Sequence, residues 1–319
     1  MSTTKFSLIA AAIGAVILLI AHAINVDYLY FASYTILQFV VLATAWNILG
    51  GYCGYVNFGS AAFFAMGAYS SVFLHKYFEV IPVPFLIVIG GIVSGIVGFG
   101  MGYLTLRLRG SFFAIATLAL AVVLATLVVN WDYVGGSRGA YIIRPEFLEI
   151  GSLKINYIEY LFALMLTLSI VALITARTIE RSQLGYGFAT IRDDELAAEA
   201  CGVPTLRLKL IATSLSGAFM GMAGAPFPYY IGYLQPQSAF GLEYAVNSIA
   251  MPMIGGTTSW IGPLVGAVLL GTAQQYATVT ISSAVNLLIV GLMLVAFVII
   301  APNGIVGLVQ ERLRARRRS

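Results

Sequence analysis

The stretch RSQLGYGFATIRDDELAAEACGVPTLRLKL, Arg181 to Leu210, gathers Arg181, Arg192, Asp193, Asp194, Glu195, Glu199, Arg207 and Lys209. The chain around it is 9% charged and 60% hydrophobic, whereas a water-soluble domain carries about 25% charged residues. Away from this stretch the charge thins into long gaps. No Asp, Glu, Lys or Arg occurs between Asp27 and Lys76, Glu79 and Arg107, Arg109 and Asp132, Lys209 and Glu243, or Glu243 and Glu311. Each gap has room for at least one helix of about 20 apolar residues, enough to cross a bilayer core of about 30 Å. The apolar runs are continuous rather than alternating, which selects helices over a barrel. The chain reads as an all-α polytopic membrane protein, one transmembrane domain over residues 1–319.

Hydropathy predicts about ten spans, at 6–24, 28–49, 57–75, 84–106, 111–130, 157–176, 210–227, 243–257, 260–278 and 284–301. Ten spans place both termini on one side. That side receives Lys5, Arg107, Arg109, Arg177, Arg181, Arg192, Arg207, Lys209, Arg312, Arg314, Arg316, Arg317 and Arg318, thirteen of seventeen basic residues. The other side keeps Lys76, Arg138, Arg144 and Lys154 among seven acids. By the positive-inside rule the loop 178–209 and the basic tail 302–319 are cytoplasmic, and the segment 131–156 is external. The tail reads as an anchor beside anionic lipid rather than a nucleic-acid patch. Cys53, Cys201, His22 and His75 lack the spacing of a disulfide framework or a metal site.

Two regions interrupt the spans with small residues. One follows Asn47 and includes Gly50 and Gly51; the other carries Gly255, Gly256, Gly262 and Pro263. Such residues allow close helix packing, or they break helices whose freed backbone must line a cavity or be buried in protein. Spans 2–5 and 7–10 stand five apart, an odd offset, so two related halves would run in opposite directions as an inverted repeat. No ionisable residue is expected deep in a span, which argues against a proton-driven carrier. No hydrolase constellation or nucleotide fingerprint is present, so no catalytic residue and no cofactor are assigned to this chain. A pump built this way takes its energy from another subunit through a cytoplasmic contact.

Several segments, in order from about Ala45 to Leu308, resemble the permease subunits of the branched-chain amino acid ABC importer family, of LivM/LivH type. They are WNILGGYCGYVNFGSAAFFAMGAY, LRGSFFAIATLAL, VGGSRGA, GYGFATIRDDELAAEACGVPTLRLKLIATSLSGAFMGMAGA, MIGGTTSWIGPLVGA and APNGIVGL. The resemblance implies a type II ABC importer permease in the bacterial inner membrane. Its expected partners are a second homologous permease (or another copy of the chain), two cytoplasmic ATPases that bind the ATP, and a periplasmic binding protein; no nucleic acid is expected. Residues 5–23 imitate a secretory signal with its cleavage site, and the family pattern favours a retained first helix. The same family handles branched-chain amino acids, urea, short amides and aromatic acids. The rival classes are a stand-alone secondary transporter, which would co-purify with no ATPase, and a membrane scaffold, whose deletion would spare uptake.

Within the charged loop, IRDDELAAEACGV predicts a short helix capped by Asp193 or Asp194 and stopped at Gly202. Glu195 and Glu199 then share a face at i,i+4, and Ala197, Ala198 and Cys201 form a small apolar surface. Arg192, Asp193, Asp194, Glu195, Ala198, Glu199 and Gly202 are the expected ATPase contact, with complementary charge fixing register. Asn47, Asn57, Thr117 and Asn130 are the candidate pathway residues.

Overall fold

The computed structural model describes residues 3–78, 81–105, 108, 110–150, 153–280, 286–301 and 304–309. Glu79, Arg107, Arg109 and the tail arginines lie outside the described residues. The order begins with α1 (Thr3–Ile24), α2 (Asp27–Asn47), a π-helical turn (Ile48–Tyr52), α3 (Ser60–Tyr77), α4 (Val83–Thr105) and α5 (Ser111–Val129). After short turns come β1 (Ala140–Tyr141), β2 (Phe147–Ile150), β3 (Leu153–Asn156) and α6 (Tyr157–Glu180). The charged stretch holds α7 (Gln183–Asp193), α8 (Glu195–Ala200) and the start of α9 (Thr205–Gly224). The remainder is α10 (Phe227–Ile231), β4 (Tyr233–Leu234), α11 (Pro236–Ala239), α12 (Leu242–Gly255), α13 (Ile261–Thr280) and α14 (Asn286–Ile300).

Among the described residues six helices are long and apolar enough to cross a membrane: Thr3–Ile24, Asp27–Tyr52, Val83–Thr105, Ser111–Val129, Tyr157–Glu180 and Thr205–Ile231. The other four expected spans hold α3, α12, α13 and α14, with reasons for falling short. α3 ends on His75 and Lys76, and α13 carries Gln274 and Gln275. α12 has 14 residues with Pro252 inside it, and α14 has 15. The all-helical expectation needs one amendment. β1 pairs antiparallel with β4, and β2 with β3, so the segment 131–156 is partly a hairpin.

Burial is arranged for a membrane. α2 is the central helix, packed against α6, α9, α12 and α13, and buried throughout Gln38–Asn47. α1 and α5 sit outside it, showing Leu8, Leu19, Phe112, Ile115 and Leu127 outward. In water such apolar faces would drive association; here they fit the hydrocarbon. Without a hydrophobic drive between helices, close packing supplies the cohesion. α3, α4 and α9 meet through glycines, and a Cβ on Gly67 would overlap the Gly221 carbonyl. α12 and α13 meet the same way, because a Cβ on Gly255 would overlap Gly262 and one on Gly266 would overlap Met251.

Candidate functional site

The loop that leaves α6 is more ordered than its composition suggests. Ser182 caps α7, its Oγ accepting from the Gly185 amide at 3.4 Å. The helix breaks at Asp194, which is extended and whose Oδ1 accepts from the Ala197 amide at 3.0 Å, capping α8. The stop at Gly202 is as expected. Its φ is +82°, the Gly202 amide donates to Glu199 O at 2.9 Å, and the Val203 amide donates to Ala198 O at 3.0 Å. The expected short helix between an aspartate cap and Gly202 is α8, with Asp194 as the cap, and Arg192 and Asp193 close the separate helix α7 before it. Gly185 and Gly187, which read as loop, lie inside α7, where a side chain on Gly185 would overlap Ile179 O.

Glu195 and Glu199 do share a face, and it is turned toward α9. The Lys209 ammonium lies 2.6 Å from Glu195 Oε1 and donates to the Tyr55 hydroxyl at 3.2 Å. Tyr55 in turn donates to Glu195 Oε2. Thr205 Oγ1, one turn before Lys209, donates to Glu199 Oε1 at 2.7 Å. The side chains of Lys209 and Glu195 are only 4% and 12% exposed. A pair this far out of water persists because its remaining donors and acceptors are also used. Here Tyr55 supplies that third partner, and the ammonium also rests 4.9 Å from its ring centroid. Ala198 is buried beside them. The solvent side of this unit carries Arg192, Asp193, Asp194, Gly202 and Leu196, the last 62% exposed, while Glu199, bonded to Thr205, stays exposed at the edge of the face turned to α9. Arg192 meets the neighbouring Asp193 at 3.2 Å.

Tyr55 belongs to the irregular segment 53–59 that separates the π-helical turn from α3. Gly54 has φ +80° and runs against α7, so that a Cβ there would come 2.9 Å from Arg192 Cγ. Cys53 is fully buried, and burial pushes its thiol up to about 12. Further along, the Trp46 indole donates to Asn57 O at 2.9 Å and Asn57 Oδ1 accepts from the Gly59 amide at 2.7 Å. The Phe58 amide donates to Thr117 Oγ1 at 3.2 Å. Asn57 and Thr117 are therefore brought together, and Asn47 is buried on the last turn of α2. Asn130 is not with them. It follows α5, exposed, with its amide on Thr126 O at 2.8 Å, about 20 Å along the helix from Thr117.

Gly50 and Gly51 form the π-helical turn, and a Cβ on Gly51 would overlap the Asn47 side chain. Gly255 and Gly256 end α12, while Gly262 and Pro263 open α13. Glu180, which no charge count singles out, joins the two interrupted regions at 2.7 Å from the Trp260 amide and 3.5 Å from the Tyr52 hydroxyl. Arg177, counted in the sequence among the bases on the side of the termini, is buried with its guanidinium 3.9 Å from the Phe6 ring centroid. Among the described residues no group of three His, Cys, Asp or Glu could hold a metal ion.

The family model described as branched-chain amino acid transport system / permease component matches residues 28–298. The high-affinity branched-chain amino acid transport system permease protein LivM of Salmonella typhimurium is 26% identical over 300 residues, covering 87% of this chain and 70% of that protein. LivM of Escherichia coli gives the same identity and coverage. The probable branched-chain amino acid transport permease protein LivH of Methanocaldococcus jannaschii is 24% identical over 275 residues, covering 81% of this chain and 85% of that protein. No solved structure matches.

Proposed function

The chain belongs to the branched-chain amino acid transport permease family, and we propose that it is the subunit through which an ABC importer carries branched-chain or related hydrophobic amino acids across the inner membrane. Two cytoplasmic ATPases drive it, a second homologous permease completes the path, and a periplasmic binding protein delivers the substrate. The observation that carries this reading is the α7–α8 unit, a charged, capped surface braced on the membrane-embedded helices through Lys209 and Tyr55. A loop serving only to orient the helices has no use for such bracing.

Ten spans arranged as an inverted repeat pair the interruption after α2 with a third irregular stretch, after α9, rather than with the Gly255–Pro263 region, which meets the first at Glu180. Residues 48–59 follow α2, and residues 225–241 follow α9, five spans later. The first lies beside Glu195; the second carries β4, which pairs with β1 beyond the far end of α5. Opposite ends are what an inverted relation requires. With the loop cytoplasmic, ATP binding moves α7–α8, and the interrupted segments gate a path that includes Asn57 and Thr117. Glu195 and Ala198 face inward, so Arg192, Asp193, Asp194, Leu196, Glu199 and Gly202 meet the ATPase.

The test is uptake of labelled leucine with ATPase co-purification. Arg192→Glu and Leu196→Asp are expected to abolish both while leaving membrane insertion intact. Uptake and co-purification at the unaltered level in both variants would sink the assignment.

A further inference from the structure

We infer that Lys209, Glu195 and Tyr55 form a latch that delivers movement of the α7–α8 unit to the interrupted segment 53–59, which makes them positioning residues of transport. The inference rests on the ATPase-driven reading above and goes beyond it in naming the joint.

Two regions distant in sequence converge here: Tyr55 on the segment, and the consecutive helices α8 and α9 with Glu195 and Lys209. α8 has six residues, too few to hold a helix by its own hydrogen bonds. Its place is set by side-chain contacts, the Glu195–Lys209 ion pair among them. Both charges are nearly excluded from water, so sliding the pair apart exposes two desolvated ions to a low dielectric. Such a pair does not stretch gradually. It moves as one body or it breaks, which is the property a mechanical joint needs.

Gly54 provides the pivot next to it. Its positive φ is costly for any residue with a Cβ, and its backbone lies against Arg192 on the proposed ATPase face. Beyond Tyr55 the segment is tied to the parts that would move. The Tyr55 ring stands edge-on to Phe113 of α5, centroids 5.0 Å apart. The Asn57 side chain fixes the entry to α3, and Phe58 holds Thr117 of α5. A push on α8 therefore reaches α3 and α5 through Tyr55, with Lys209 keeping α9 in step.

The experiment uses the whole importer in proteoliposomes, with leucine as the probe, and reads substrate moved per ATP hydrolysed alongside ATPase co-purification. Tyr55→Phe removes one oxygen and keeps the ring. The double variant Glu195→Gln/Lys209→Met removes both charges without stranding either. Each is expected to lower the transport-to-hydrolysis ratio at least about fivefold while the ATPase still co-purifies. An unaltered ratio in the assembled complex overturns the latch. So does a parallel loss of ratio and assembly, which marks the triad as support for the loop alone. If the unaltered chain recruits no ATPase, the functional reading falls and takes the latch with it.

Discussion

Lys209 shows how a residue's role changes once its neighbours are known. Counted by sequence it is one of thirteen cytoplasmic bases. In the fold it is buried in the second turn of α9 and paired with Glu195. Removing one partner of a buried pair leaves an uncompensated charge, at a cost of about 3–5 kcal/mol. Lys209→Met alone is therefore expected to lower the melting temperature of the detergent-purified protein well below that of Glu195→Gln/Lys209→Met. Thermal unfolding of the two variants side by side checks this; equal losses would mean that the pair is solvated. The contrast with Asp194 explains what sequence could tell. A cap and a glycine stop are local, joining residues within a turn, so Asp194 and Gly202 were legible in IRDDELAAEACGV. The Lys209–Tyr55 contact spans 154 residues, and nothing in either neighbourhood announces it. Glu180 and Arg177 were missed for the same reason, since Trp260, Tyr52 and Phe6 reach them only through the tertiary fold.

At the scale of elements, each of the ten expected stretches holds a helix, and in the six that are long and apolar enough to cross a membrane among the described residues a helix is what satisfies the backbone without water. The interruptions were legible too, as glycines, but not their directions. A glycine that permits a break and one that permits close approach look alike in sequence. Gly50 and Gly51 belong to the first kind; Gly67, Gly221 and Gly255 belong to the second. The β2–β3 hairpin escaped because its strands are four residues each, too short for alternation to register. The glycine contacts carry a prediction. Gly67→Leu places a side chain where α3 and α9 touch through backbone, and overpacking of this kind costs roughly 1–3 kcal/mol or more. Gly100 sits in α4 with nothing within 4 Å of its would-be Cβ. Gly100→Ala is therefore expected to be neutral or to stabilise by about 0.5–1 kcal/mol, the helix-propensity difference. Thermal unfolding of both variants in one detergent measures it. A destabilised Gly100→Ala beside an unaffected Gly67→Leu would invert the packing described here.

For the whole molecule the question is which end of the bundle faces the cytoplasm, and the two cysteines supply the means to ask it. Cys201 is exposed at the end of α8, on the charged loop. Cys53 is buried, and with its thiol pushed up to about 12 it holds almost no thiolate near neutral pH. A maleimide reacts with the thiolate, so the folded protein offers it one site. A membrane-impermeant maleimide applied to intact cells is expected to leave the chain unlabelled, and to label it once the membrane is permeabilised. Cys201→Ser should abolish that labelling, because the remaining thiol is both inaccessible and protonated. Labelling of intact cells that depends on Cys201 would place the α7–α8 unit outside, away from any source of ATP. The same result would reverse the positive-inside assignment, which rests on thirteen bases against four. Adding a detergent-unfolded sample separates access from chemistry, since unfolding returns Cys53 to water and doubles the label incorporated. The orientation of every described span follows from the labelling of that one accessible thiol.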